Sequence, residues 1–191
     1  MFIEPELLLP WLLVVQGLVG GTDTLFNHEI VERLPQRMAA RGEIALHAVR
    51  EAIYGTLFVG LAWHAWHGAA ALVIAALVVA EVVVTATDEY VENRIRVMPQ
   101  NERVLHVLLT LNLGVIGAVL VVVLRAWSAL PTALVPVEHG AASVALTALG
   151  LASWAWSLRD ALAWRRLHGE AASARATTVQ AARVPSEVKP R

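Results

Sequence analysis

The chain contains no cysteine. Disulfides, iron–sulfur clusters and thiolate-held zinc or haem are therefore excluded, and any metal must be held by nitrogen and oxygen ligands. Charge is scarce as well: Asp, Glu, Lys and Arg make up 16% of the 191 residues, against ~25% in soluble domains. Hydrophobic residues reach 57% and mean hydropathy is +0.58, the composition of an integral membrane domain. A formal net charge of −1 argues neither for nor against nucleic acid. With the bilayer as the main partner, no nucleic-acid partner is expected. Also missing are a phosphate-binding glycine loop, a nucleophile elbow, a His-Glu-x-x-His pair and the histidine clusters of fatty-acid hydroxylases. The acidic start, Met1 to Glu6, lacks the positive region of a signal peptide, so the first apolar stretch reads as a retained span.

What is present is a set of apolar segments near the ~20 residues that cross a bilayer as helices. They fall at about 3–21, 44–66, 69–91, 103–127 and 141–164. The expected fold is all-α: an integral membrane bundle of about five transmembrane helices, domain 1–168, with a disordered cytoplasmic tail over 169–191. The first segment is the weakest, interrupted by Pro10 and carrying Gln16. Turn signals at Gly68, Pro99 and Pro131–Pro136 with Gly140 imply antiparallel neighbours. Thr22 to Gly42 reads as a short amphipathic segment on the cytoplasmic face, capped by Asp23 or Thr24, carrying Leu25, Phe26, Ile30 and Leu34, and ended by Pro35.

Arginine placement sets the orientation. Arg33, Arg37, Arg41, Arg50, Arg94, Arg96, Arg103, Arg159, Arg165 and Arg166 share one side, joined by Arg175, Arg183, Lys189 and Arg191, while Arg125 alone falls on the other. Basic residues in short loops stay cytoplasmic. The expected setting is a bacterial inner membrane, N-terminus out and C-terminus cytoplasmic.

The acids and histidines gather at that same side. Residues four apart share a helix face, so Glu43, His47 and Glu51 form one stripe that Tyr54 extends. Glu81, Thr85, Asp88 and Glu92 form a second, with Glu89 beside it, and Glu102 and His106 a third. Glu-Ile-Ala-Leu-His at 43–47 echoes Glu-Arg-Val-Leu-His at 102–106. His28 and Glu29 follow the first segment. Carboxylate oxygen and imidazole suit hard or borderline divalent metals, and two adjacent metals need several carboxylates with roughly one His each. An Asp near the middle of a span costs roughly 2.5–3.5 kcal/mol on insertion scales, which a bound cation offsets. Without a cation, crowded carboxylates would hold protons.

The expected ligands are His28, Glu43, His47, Glu51, Asp88, Glu92, Glu102 and His106. Asp23, Glu29, Arg50, Tyr54 and Glu81 are expected around them or as a proton relay. The cofactors would be two divalent metal ions, iron favoured over zinc or manganese. The partners would be the bilayer, a lipidic substrate and a cytoplasmic redox protein. The chemistry would be an oxidase's or hydroxylase's, with zinc favouring hydrolysis instead. Other readings are a haem- or quinone-binding electron-transfer subunit with His47 and His106 on one haem b, and a proton or cation conductor through Glu81, Asp88 and Glu92. The plainest alternative is an ion-pair network with Arg94, Arg96 and Arg103. His64 and His67, with Trp63 and Trp66, read as an aromatic belt at the opposite end, as do Trp127, Trp154, Trp156 and Trp164. Glu138–His139 reads as an exposed polar spot in the outer loop, and Gly114-Val-Ile-Gly117 as a helix-packing surface.

Gly20-Gly21-Thr22-Asp23-Thr24, His28-Glu29 and Glu32-Arg33-Leu34-Pro35, continued by Glu43-x-x-x-His47-x-x-Arg50-Glu51 and Glu102-Arg103-Val-Leu-His106, resemble motifs of a family of uncharacterised bacterial polytopic membrane proteins. The resemblance covers roughly residues 20 to 140 and implies no activity. In that family the module is sometimes joined to a nucleotide-sugar-epimerase-like domain, which this chain lacks. The likeness to ferritin-like dinuclear centres is one of logic, since their Glu-x-x-His spacing differs from the four-residue spacing here.

Overall fold

The computed structural model describes residues 4–183. Among them, α1 (Pro5–Asp23), α2 (Arg41–Trp63), α3 (Ala71–Ile95), α4 (Gln100–Ser128) and α5 (Ala141–Arg183) account for most of the chain. All five are long and apolar enough to cross a membrane; the first of these stretches runs from Pro5 to Val31. The helices close into a ring in which α1 packs on α4 and α5, α2 packs on α5 and α3, and α3 meets α4 loosely. Leu13, Leu57, Phe58, Ile74, Ile116 and Leu146 fill the half of the ring away from the acids. A smaller cluster of Leu34, Ala40, Ile44 and Ala163 seals the acidic end.

Four features differ from expectation. The first span does not stop near residue 21 and no short capped helix follows it. Asp23 makes no cap hydrogen bond, and α1 continues directly into a π-helix, Thr24–Val31, closed by Glu32 N–H donating to Asn27 O at 2.8 Å. No proline lies between Leu18 and Val31, and the helix propagates through Gly20-Gly21; Leu25, Phe26 and Ile30 face outward while Leu34 alone of that set is buried. The wider π turn brings Asp23, Asn27 and His28 onto one buried face; such turns occur often at functional sites. Arg33, at φ 49, then reverses the chain, and Leu34-Pro35 opens a 3₁₀ turn rather than ending a helix.

At the opposite end α2 stops at Trp63, and His64–His67 forms β1, antiparallel to β2 (Ala133–Pro136), with His64 opposite Pro136 and His67 opposite Ala133. Gly68, at φ 58, turns tightly against Thr132. The last helix continues well past 164, so the stretch from 169 to 183 is helical rather than irregular. Residues 184–191 of the expected tail lie outside the described residues.

Glycine is used for close approach between α2 and α5, not at Gly114 and Gly117, where an added Cβ would meet no heavy atom within 4 Å. At Gly55 an added Cβ would sit 2.4 Å from Trp154 Cδ1. Trp154 therefore packs over a glycine of α2, which its sequence context as a belt residue did not indicate. Gly55→Ala is expected to cost about 1–3 kcal/mol through overpacking. Thermal denaturation in detergent should show a lower Tm for Gly55→Ala and an unchanged one for Gly114→Ala; equal effects would contradict this packing.

Candidate metal centre

The π turn of α1 and the first turns of α4 converge. Ligand atoms of Asp23, His28, Glu102 and His106 all lie within 4.8 Å of one another. His28 Nε2 is 3.3 Å from Glu102 Oε1 and 3.6 Å from Asp23 Oδ2, and His106 Nε2 is 3.2 Å from Asp23 Oδ2. Donor atoms around one cation with bonds of ~2.1 Å stand ~3.0–3.4 Å apart in octahedral or tetrahedral sets, so these spacings fit a common ion. Hydrogen bonding alone leaves the site unsatisfied: among the described residues, neither ring nitrogen of His28 nor Nε2 of His106 has a hydrogen-bond partner. Buried polar atoms are seldom left so. Asp23, His28 and Glu102 are almost wholly buried.

Asn27 holds the cluster in shape. Its Nδ2 donates to Asp23 Oδ1 at 2.6 Å and its Oδ1 accepts from Asn101 Nδ2 at 2.5 Å, tying the π turn to α4. A second donor set, Glu89 and Glu92 of α3, lies on the Nδ1 side of His106 at 3.4 and 3.8 Å. His47 stacks on His28 with centroids 4.5 Å apart and places Nε2 3.1 Å from Asp88 Oδ2, which also accepts from Arg50 Nη1 at 2.9 Å.

Glu43, Glu92 and Glu102 share one guanidinium, that of Arg96 in the α3–α4 connection. Arg96 Nη2 lies 3.0 Å from Glu43 Oε1 and 2.5 Å from Glu102 Oε1 and pairs also with Glu92. Burial alone would lower the Arg96 pKa, but the hydrogen bond to Glu102 and the charges of Glu43 and Glu102 outweigh it and push it up. Part of the expected ion-pair network is thus present, carried by Arg96. The balance is still negative: Asp23, Glu43, Asp88, Glu89, Glu92 and Glu102 face Arg50 and Arg96.

Of the expected ligands, the structure gathers His28, Glu102 and His106 around one point, sets Glu92 next to them, and places His47 and Asp88 behind the ring of His28. Glu43 is held by Arg96. Glu51 does not reach the cluster; it lies one turn further along α2, on the wall of a cavity. Glu29, expected nearby, pairs instead with Arg159 of α5. Asp23, expected in a surrounding role, stands among the closest donors. Sequence spacing missed Glu89 as a donor, Asn27 as the brace and Arg96 as the hub; the four-residue spacings Asp23–Asn27 and Glu92–Arg96 were the available signal.

A cavity of about 370 Å³ opens from this centre into the ring. Asp23, Arg50, Asp88, Glu89 and His106 form its polar end, and Phe58, Leu109, Leu113 and Leu149 its apolar walls. Tyr54 and Glu81 line it at depth. Tyr54 Oη accepts from Gln16 Nε2 at 2.9 Å, Gln16 Oε1 accepts from Asn112 Nδ2 at 2.8 Å, and Thr85 Oγ1 donates to Glu81 Oε1 at 2.8 Å. Trp156 also lines the cavity, unlike a belt residue.

No protein-family model, curated protein or solved structure matches this chain. The residues themselves carry the functional reading.

Removing Arg96 strips three buried carboxylates of their shared partner, and breaking such a pair costs about 3–5 kcal/mol. Arg96→Ala should lower the Tm in detergent accordingly, and added Mn²⁺ should raise it more in the variant than in the wild type. A variant indifferent to Mn²⁺ would argue against a cation site beside Arg96.

Proposed function

We propose that the protein is a membrane-embedded metal-binding protein, a dinuclear oxidase or hydroxylase that acts on a lipidic substrate. The observation that carries this reading is the four-residue donor set, three of its members buried and His106 half-buried, whose imidazole Nε2 atoms stand near carboxylates without forming a well-aligned hydrogen bond, and whose Asp23 and His106 line the polar end of an apolar cavity. Asp23, His28, Glu102 and His106 would hold one divalent cation. Glu92 and Glu89, on the other side of the His106 ring, would hold a second. The all-nitrogen-and-oxygen set and its surplus of carboxylates suit iron or manganese better than zinc, and the oxidation proposed here selects iron of the two. Iron there would supply oxygen-dependent oxidation, and zinc a hydrolytic water.

This chain's own residues do the rest. Asn27 fixes the Asp23 carboxylate, the stacked ring of His47 fixes His28, and Asp88 with Arg50 fixes His47. Such outer partners are worth about 10–100-fold in metal affinity. The leucines of α4 and α5 exclude water from the substrate. The arginines at this end would face the cytoplasm of a bacterium, with the N-terminus outside, and would dock a redox partner. The placement of His47 speaks against the haem alternative, since its Nε2, the nitrogen that a haem iron would take, lies 3.1 Å from Asp88 Oδ2.

A proton- or cation-conducting role has one specific observation in its favour: the polar side chains Asn112, Gln16, Tyr54, Thr85 and Glu81 between the centre and the middle of the ring. Charge movement in vesicles that Glu81→Gln abolishes would select it.

Chelator-stripped protein reloaded with Fe(II), in vesicles of bacterial lipid extract, should consume oxygen, and the His28→Ala/His106→Ala variant should fall to the rate of empty vesicles. Uptake unchanged by the double substitution would remove the oxidase reading.

A further inference from the structure

The cavity does more than open onto the polar centre. Its rim includes Leu18, Gly21 and Thr22 of α1 and Ala152 of α5, all exposed and all within membrane-spanning stretches. An added Cβ at Gly21 would meet nothing within 4 Å. With these stretches inserted in a bilayer, the rim would face hydrocarbon and a ligand would enter sideways from the lipid. The volume lies at the low end of the ~300–1,000 Å³ typical of small-molecule sites, suited to a single chain and not to a two-chain phospholipid.

The charges on the walls select the head of that chain. Five carboxyls, Asp23, Glu51, Glu81, Asp88 and Glu89, line the cavity. Arg50 is the one guanidinium lining it among the described residues, and Asp88 already holds it at 2.9 Å. His106 faces Asp23 and Glu89. An anionic head would therefore meet like charge or protonated acids, with no free cation, and burying an unpaired charge is costly. Five cavity-lining groups keep a buried atom without a hydrogen-bond partner among the described residues: His106 Nε2 and Asp88 Oδ1 at the polar end, and Glu51 Oε2, Glu81 Oε2 and Trp156 Nε1 along the wall. Glu81 itself is 1% exposed. A hydroxyl both donates and accepts, so on this wall it can pair with a carboxyl oxygen or with the indole N–H, whereas a carboxylate head can only accept.

We infer that the cavity binds an uncharged, hydroxyl-bearing single-chain lipid, a long-chain or isoprenoid alcohol, and discriminates against fatty acids of the same length. As the substrate class of the proposed centre this rests on the preceding reading; as a binding site it does not.

The test uses full-length protein in vesicles of zwitterionic lipid at pH 8, with a diazirine-tagged long-chain alcohol as the photolabel and labelled peptides mapped by mass spectrometry. Labelling should fall on residues 16–25 and 149–156 and be competed by 1-dodecanol about tenfold better than by dodecanoate. Gly21→Trp, whose Cβ meets no heavy atom within 4 Å and whose indole would occupy the rim, should abolish it. Glu51→Gln/Glu81→Gln should narrow the preference for alcohol over acid, a change that a merely structural role for these groups would not produce. Equal competition by alcohol and acid, or labelling that survives Gly21→Trp, would overturn the inference. Metal content measured on the same samples separates the two claims: specific labelling of a metal-free protein leaves this site standing while the metal reading fails, and metal without labelling does the reverse.

Discussion

A carboxylate removed from water must find positive charge, a proton or a set of donors, and this chain buries five acids, Asp23, Glu43, Asp88, Glu92 and Glu102, at one end of a five-helix ring. Everything at that end can be read as a response to that constraint. Arg96 answers for Glu43, Glu92 and Glu102, and Arg50 answers for Asp88. Asp23 and Glu89 are left with histidines, which carry charge only when protonated. Two guanidiniums do not balance five buried carboxylates in a medium where unpaired charge is costly. A bound cation between Asp23, His28, Glu102 and His106 would close the difference and would also occupy the imidazole nitrogens that hydrogen bonding leaves idle.

The scaffold separates duties along its length. The apolar core of Leu13, Leu57, Phe58, Ile116 and Leu146 lies at the end closed by the β1–β2 ribbon, and the glycines that let α2 and α5 approach closely lie between the two ends. The π turn of α1 falls at the polar end. Rigid packing away from the site thus holds the helices in register while the irregular backbone is spent where the donors must converge.

The sequence made the architecture legible because the apolar stretches are long and the spacing of acids and histidines is regular. Glu43 and His47, Asp88 and Glu92, and Glu102 and His106 sit on inward faces as a four-residue repeat requires. What it hid depends on departures from that repeat. A π turn shifts helical phase, so Asp23, read as a cap, reaches the centre instead. Glu51 obeys the same periodicity as His47, yet one further turn carries it out of the cluster and onto the cavity wall. Arg96 was one of several arginines expected at this end, and its four-residue spacing from Glu92 is the one local mark it carries; the convergence of three helices is what gives it Glu43 and Glu102 as well. Likewise Trp154 and Trp156 share the composition of belt residues but face Gly55 and the cavity.

The central claim is that a cation completes the charge balance of this cluster. Elemental analysis of detergent-purified protein, prepared without chelator and compared with Asp23→Ala/His106→Ala, tests it most directly. The account predicts about two transition-metal atoms per chain in the wild type and a loss in the variant. No stoichiometric metal in either protein would contradict it, and Arg96, Arg50 and bound protons would then be the whole answer to the buried acids.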